Sequence, residues 1–248
     1  MNTIVCVKRV PDSATRVRIG SDGQLDSAGV KFVLNPYDEC ALEEAIQLKE
    51  SAGTGAVTAI TLGTSQSAET LRTALAMGAD EAVLLTSPGS HDALSVARAL
   101  ADEIRGRDFD LVLFGKQAID DDNMQVPQMV AEFLELPCVT VVVDLEVDGT
   151  IVRVKREVEG GHEIVEFDLP GVIAAQKGLN EPRYPSLKGI MAAKRKPLDE
   201  KEVSPAADTL ELVSLEEPPA PAAGQIVGEG PEAVPDLVRK LRDEVKVL

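Results

Sequence analysis

Tryptophan is absent from this chain, and with two Tyr and five Phe the aromatics reach only 3% of 248 residues. A core without large rings must be built from Val, Ile, Leu and Ala, which suits a buried parallel sheet flanked by Ala-rich helices. Histidine is scarcer still, with only His91 and His162. His91 stands at a predicted helix start and His162 in a turn of charged residues. Both read as surface residues, so acid–base catalysis has few candidates. Cys6, Cys40 and Cys138 are widely spaced and set among apolar residues. No metal-ligand or C-x-x-C spacing arises, and they read as buried reduced thiols. Walker A, G-x-G-x-x-G, H-E-x-x-H and nucleophile-elbow patterns are all missing. No apolar run is long enough to span a bilayer, and no signal pattern precedes the opening strand. The expectation is a soluble cytoplasmic protein (mitochondrial matrix in a eukaryote) that carries no catalytic residues and no metal.

Positive charge is also in deficit. Lys and Arg number 25 against 42 Asp and Glu, a formal net charge of −17. Such a chain repels nucleic-acid phosphates and anionic lipid, so neither nucleic acid nor membrane insertion is expected. The acidity itself reads as a solubility feature. One stretch departs from it: Arg183, Lys188, Lys194, Arg195, Lys196 and Lys201.

What the chain does have is alternation. Strand-like runs at 3–7, 56–62, 81–85 and 111–114 are separated by helical patterns at 38–50, 65–77, 91–104 and 123–134. Weaker extended runs at 17–19 and 31–34 flank a Ser-Asp-Gly turn at 21–23. Asp38 is the expected N-cap of the first helix, Gly78 stops the second, and Pro127 fits the first turn of the fourth. This spacing predicts βαβ units with right-handed crossovers, hence an α/β fold on a parallel sheet. Ligands of such sheets sit beyond the carboxyl ends of the strands, where the loops Lys8–Asp12, Leu62–Ser65 and Gly115–Asp122 emerge.

The pattern changes after Pro137. Runs at 139–147 and 151–158 flank Asp148-Gly149, a hairpin signal, and further strands are expected at 163–169 and 172–175. This part reads as an antiparallel extension. Residues 179–201 read as irregular with a helical turn near 187–193, and 203–230, rich in Pro, Ala and Glu, as an extended arm. A helix at 231–245 carries Val234, Leu237, Val238, Leu241 and Val245 on one stripe, which suits either another subunit or its own domain.

Three loops carry chemistry. Gly115–Gln125 runs from a strand end into a helix N-terminus, where free backbone N–H groups favour an anion. Within it Gln117, Asp120, Asn123 and Gln125 can bond a base or a ribose. Asn35-Pro36-Tyr37-Asp38 forms a tight turn whose Tyr37 either stacks on a ring ligand or packs in the core. Leu179–Leu187 is stiffened by two prolines and carries Tyr184 and Leu187, so it reads as a docking element or a buried crossover.

Six runs in order resemble the electron-transfer flavoprotein β family. They are VKRV (7–10), NPYDECALEEA (35–45), RTALAMGAD (72–80), GKQAIDDD (115–122), VKREVEGG (154–161) and LNEPRYPSL (179–187). The resemblance implies a Rossmann-like adenine-nucleotide-binding domain over residues 1–200, with an arm and helix at 201–248 that contact an α subunit. It implies a structural AMP in this subunit and an FAD held mainly by the α subunit in a heterodimer. The AMP contacts carried over are Cys6, Asn35, Pro36, Tyr37, Asp38, Leu62, Gly115, Gln117, Ala118, Asp120, Asp121, Asp122, Asn123, Met124, Gln125 and Val126. The segment 179–194 matches the family's recognition loop, with Leu187 as apolar anchor beside Tyr184, Ile190 and Met191. Glu157 matches a glutamate that pairs with an α-subunit arginine. Ser13 stands where some members present a Tyr toward the flavin.

The activity so implied is electron carriage from acyl-CoA-type and other flavin dehydrogenases, as in fatty acid oxidation, toward a quinone oxidoreductase. Bifurcating members hold a second FAD in place of AMP, and Asp120-Asp121-Asp122-Asn123 favours AMP over that alternative. An adenine-nucleotide-processing enzyme would need a Ser/Gly-rich first loop, where this chain has Lys8-Arg9-Val10-Pro11-Asp12. A self-dimerising nucleotide sensor is a third reading.

Overall fold

The computed structural model describes residues 1–21, 23–220 and 223–248. Asp22 of the expected turn, and Pro221 and Ala222 of the expected arm, lie outside the described residues. Two compact units are distinguished: Met1–Val17 with Asp26–Val213, and Arg18–Leu25 with Ser214–Leu248.

In the first unit the chain passes through β1 (Thr3–Cys6), a small antiparallel pair β2 (Arg9–Pro11) and β3 (Phe32–Leu34), and α1 (Pro36–Ala52). β4 (Val57–Gly63), α2 (Ala68–Met77), β5 (Glu81–Thr86), α3 (Ala93–Arg105), β6 (Leu111–Gly115) and α4 (Val126–Leu134) continue the alternation. Then come β7 (Cys138–Asp148), β8 (Ile151–Val158), β9 (Gly161–Asp168), β10 (Gly171–Ala175), α5 (Leu187–Ala193) and β11 (Leu198–Glu202). The large sheet has nine strands in the order β11-β5-β4-β1-β6-β10-β7-β8-β9. Pairing is parallel from β11 to β7 and antiparallel from β7 to β9.

Alternate residues of the central strands face opposite helix layers, as the period of a strand requires. Val5, Val57, Ala59, Leu113 and Ile173 pack with Leu42, Ile46, Leu71 and Leu75 of α1 and α2. Ile4, Ile60, Val112, Phe114 and Val172 pack with Leu100, Ile104 and Val130 of α3 and α4. This is the α/β Rossmann-like sheet expected, built from aliphatic side chains.

Four expectations need correcting. β10 is not antiparallel: it lies between β6 and β7 and runs parallel to both. Its Val172–Ala175 are fully buried, as a central strand's residues are. β11, in a stretch read as irregular, adds a parallel edge strand to β5; its sequence Leu-Asp-Glu-Lys-Glu hid it, because an edge strand needs no apolar pattern. α4 begins at Val126 rather than Asn123, since Asp122 and Met124 hold φ of 49° and 54° and keep the preceding chain out of the helix. Asp38 is not an N-cap: Asn35 takes that position, and Asp38 lies inside the first turn of α1.

In the second unit Ile19 and Leu25 form an antiparallel bridge. The expected terminal helix is a 3₁₀ turn at Pro231–Ala233, then α6 (Val234–Arg239), then a π-helical turn at Lys240–Val245. Val234, Leu237 and Val245 of its stripe are exposed.

Candidate functional site

The chain places β4 and β5 on one side of β1, then returns to place β6 on the other. Strand order therefore reverses between β1 and β6, and a crevice opens beyond their carboxyl ends, where α/β sheets bind ligands. The cleft there encloses about 820 Å³, part of it open to solvent. Cys6, Val7 and Lys8 leave β1 along its floor, and Thr61 and Leu62 enter from β4. His91, Ala93, Val96 and Leu100 form the α3 wall, and the loop from Gly115 to the start of α4 forms the opposite lip.

Asp38 fixes the floor. Its two carboxylate oxygens accept Lys8 N–H at 2.8 Å and Gly115 N–H at 3.0 Å, tying the ends of β1 and β6. Burial pushes its pKa up to about 7, against the hydrogen bonds from Asn35, Lys8 and Gly115 that pull it down. A Cβ on Gly115 would run into the Asp38 carboxylate and the Tyr37 backbone, so glycine is required by this close approach.

Asn35 is fully buried and spends its amide on the loop. Nδ2 donates to the Gln117 carbonyl at 2.9 Å, and Oδ1 accepts Ile119 N–H at 3.2 Å. The three successive aspartates all have partners within the loop or on Lys8. Lys8 Nζ bonds Asp120 at 2.8 Å and Asp121 at 3.0 Å. Asp122 accepts Gln117 Nε2 at 2.5 Å, and its N–H donates to the Ala118 carbonyl. Burial lowers the Lys8 ammonium's pKa, but its bonds to Asp120 and Asp121 leave it raised. Lys116 lies beside this loop with Nζ 5.2 Å from the Tyr37 ring centre. Burial raises the Cys6 thiol well above its usual range, with the Asp38 charge adding to it, so Cys6 is an inert wall.

A second candidate surface is the segment after β10. Asn180 Nδ2 donates to the Cys40 carbonyl at 3.0 Å and to Glu44 at 2.8 Å. The Arg183 guanidinium grips Glu43 and Glu50, both from α1, at 2.8–3.0 Å. Ser186 caps α5 by accepting Gly189 N–H. Gly189 lies so close to the Ala76 carbonyl of α2 that no Cβ fits. Between these anchors Tyr184, Leu187 and Met191 are 95%, 84% and 64% exposed, with Ile190 also exposed.

A family model described as the electron transfer flavoprotein domain matches residues 22–206. Curated relatives named electron transfer flavoprotein subunit beta match along nearly the whole length. One from Bacillus subtilis is 42% identical with both chains fully covered. One from Syntrophomonas wolfei is 39% identical over 100% of this chain and 98% of its own. One from Sus scrofa is 42% identical over 98% of this chain and 97% of its own. The chain belongs to the electron-transfer flavoprotein β-subunit family. Its role is accordingly in electron transfer.

The cleft gathers most of the family's expected nucleotide contacts. Cys6, Asp38, Leu62, Gly115, Gln117 and Ala118 line it, and so do Asp121, Asn123, Met124, Gln125 and Val126. Asn35, Pro36, Tyr37, Asp120 and Asp122 are outside its lining. Asn35 braces the loop from behind, Pro36 opens α1, Tyr37 lies under Lys116, Asp120 holds Lys8, and Asp122 holds Gln117.

Lys8 lines the cleft from the Lys8–Asp12 loop expected at this end of the sheet, whereas Thr61 and His91 line it unforeseen. His91 is not a surface residue: its ring is half-buried, with Nε2 2.8 Å from Ser87 Oγ. The one available signal was position, since each follows or precedes a strand end or helix start. Half of the basic stretch is spent as well. Arg183 is paired with glutamates, Lys196 donates to the Leu75 and Ala79 carbonyls, and Lys201 pairs with Glu103. Glu157 is exposed on β8 and accepts Gln176 Nε2 at 2.8 Å. No helix among the described residues is long and apolar enough to cross a membrane.

Proposed function

We propose that this chain is the β subunit of a heterodimeric electron-transfer flavoprotein and that its cleft holds AMP as a structural ligand. The observation that carries the reading is the cleft itself. It has an apolar floor and wall at the switch point, closed by a loop that offers the amides of Gln117, Asn123 and Gln125 together with the uncapped start of α4. Apolar Val7, Leu62, Val96 and Phe114 suit the faces of a purine, and the amide side chains suit its edge and ribose. Lys116, on the cleft lining, offers the positive charge a monophosphate needs, whereas the Lys8 ammonium is already held by Asp120 and Asp121. The thiol and the carboxylate on the floor are committed to burial and to backbone bonds, which suits scaffolding rather than turnover. A ligand that binds only the folded chain adds its binding energy to stability.

The companion α subunit holds most of the FAD, which supplies the group that accepts and passes on electrons. This chain's part is to complete that site, with Glu157 exposed for an arginine of the companion and residues 201–248 forming an arm that contacts it. The braced segment 179–194 docks flavin dehydrogenases. Leu187 serves as apolar anchor, beside Tyr184, Ile190 and Met191, because a rigid exposed apolar group surrounded by polar chain is what a binding hot spot requires. Electrons then leave toward a quinone oxidoreductase. The test is to denature the purified heterodimer and identify the small molecules released. One AMP and one FAD support the reading, two FADs move it to the bifurcating type, and no adenine nucleotide beyond FAD overturns the structural-AMP assignment.

A further inference from the structure

The N-terminus of α3 borders the cleft on one side and holds a segment of the C-terminal chain on the other. Asp92 Oδ2 accepts Thr209 N–H at 2.5 Å, the Thr209 hydroxyl at 2.8 Å and Leu210 N–H at 3.1 Å. Asp92 N–H donates back to Asp208 Oδ1 at 2.9 Å. The other Asp92 oxygen caps α3 by accepting Ser95 N–H at 2.8 Å. This reciprocal knot is what fastens residues 208–210, and its bonds are solvent-exposed. Exposed hydrogen bonds at the root of an arm are the kind that open locally at small cost, which makes this knot the point where the arm can be released.

His91 joins the knot to the cleft. Its Nε2 is 2.8 Å from Ser87 Oγ, and its Nδ1 is 3.6 Å from Asp208 Oδ1. Ser87 is buried and bonded through its N–H to the Gly63 carbonyl at the end of β4. His91 and its neighbour Ala93 both line the cleft. A continuous path therefore runs from the sheet through Ser87 and His91 to Asp208 and the arm. When the arm is tied, the imidazole bonds Ser87 on one side and faces Asp208, 3.6 Å away, on the other, and the cleft wall is formed. When it is released, Asp208 leaves, the ring keeps only Ser87, and a ligand meets a looser wall.

We propose that cleft occupancy and arm attachment are thermodynamically linked, with His91 as the joint between them. This rests on the reading of the cleft as an AMP site. A ligand that contacts the ordered wall favours the tied state, and by linkage the tied state favours the ligand by the same factor. Because the arm is the part proposed to meet the companion subunit, ligand binding prepares the surface used in assembly.

The amides of Thr209 and Leu210 donate directly to Asp92, so their hydrogen exchange reads the knot. With the full chain, calorimetry first measures AMP binding, and exchange is then followed with and without saturating AMP. AMP should slow both amides by about five-fold or more, the lower end of typical coupling. Asp208→Ala, at an exposed position outside the cleft lining, should weaken AMP by the same factor. Thr209→Val, which keeps the backbone bonds, should weaken it less. In His91→Ala the knot persists, but saturating AMP should no longer alter exchange at Thr209 and Leu210. AMP binding with unchanged exchange overturns the linkage alone, as does an Asp208→Ala chain that binds AMP as tightly as the unaltered one. Failure of the unaltered chain to bind AMP overturns the reading of the cleft, and the linkage with it.

Discussion

Asp38→Asn separates two opposing forces on one buried group. The native carboxylate accepts two backbone N–H groups, one on each oxygen. An amide accepts on only one atom and turns its NH₂ toward the other donor, leaving one N–H unsatisfied in a dry site at a cost of about 1–3 kcal/mol. The native side chain bears a different burden. Its pKa is raised from 3.8 to about 7 by burial, so ionising it costs more in the fold than in the unfolded chain. A raised acid contributes stability that is fully present below the unfolded value and is lost as pH rises through the folded one. A shift of this size corresponds to about 4 kcal/mol between the ends of that window. The variant has no such group, and other titrations cancel in the difference between the two chains. Urea unfolding at pH 4, 5.5 and 8 should therefore show native and variant stabilities converging, or crossing, as pH rises. If the native advantage grows with pH instead, the two N–H bonds outweigh desolvation, Asp38 is an ordinary low-pKa carboxylate, and the reasoning is refuted.

Leu187→Ala should leave stability within about 0.5 kcal/mol, because the side chain is already exposed, and should weaken dehydrogenase association roughly ten-fold. Binding assays with more than one dehydrogenase check it, and unchanged affinity for all of them removes Leu187 as the anchor. Arg183→Ala strands buried Glu43, whose pKa Arg183 holds down against burial. It should cost about 1–3 kcal/mol, discounted for the half-exposed arginine, and should raise hydrogen exchange across 184–193. Gly189→Ala should separate α5 from α2 at about 1–3 kcal/mol of overpacking, read as a lowered urea midpoint with an unchanged slope. Cys6 should resist alkylation in the native chain and react on unfolding, as mass spectrometry would show, because its thiol is buried and its pKa raised.

The parts of the fold legible in the sequence are those where burial imposes a pattern. β1, β4, β5 and β6 are apolar runs between helical periods, and a parallel sheet with right-handed crossovers follows from that alternation. β10 has the same composition, yet its neighbours were misread. Nothing local tells Val172–Ala175 that the chain, after an antiparallel excursion, returns to the middle of the sheet. β11 is charged after Leu198 and gains its place mainly by pairing with the backbone edge of β5. In the cleft, Gly115 and the amide-rich loop were visible because close approach and helix starts favour particular residue types. Thr61 and His91 were not, since they matter through where β4 ends and α3 begins. Residue type also misled at Asp38, whose place before a helical pattern suggested a cap while its partners lie 30 and 77 residues away.

α1 explains why the two candidate surfaces belong to one device. Four of its acidic residues reach distant chain, three of them buried. Asp38, in the first turn, holds the ends of β1 and β6 under the cleft. About one and a half turns further on, Glu43 and Glu44 take Arg183 and Asn180, and exposed Glu50 takes the other side of Arg183. Burial raises Glu44, whereas at Glu43 the Arg183 bonds overcome burial and lower it. A helix is stiff over this length, so the cleft floor and the base of the exposed apolar segment keep a fixed separation set by one element. Buried carboxylates are a poor source of net stability but a strong source of geometry, since each tolerates only its own partner. Uniform loosening on neutralising Glu43 or Glu44 would show that they merely stabilise. Exchange confined to 179–193, with the cleft loop 116–125 unaffected, would show that each acid positions only the segment it grips.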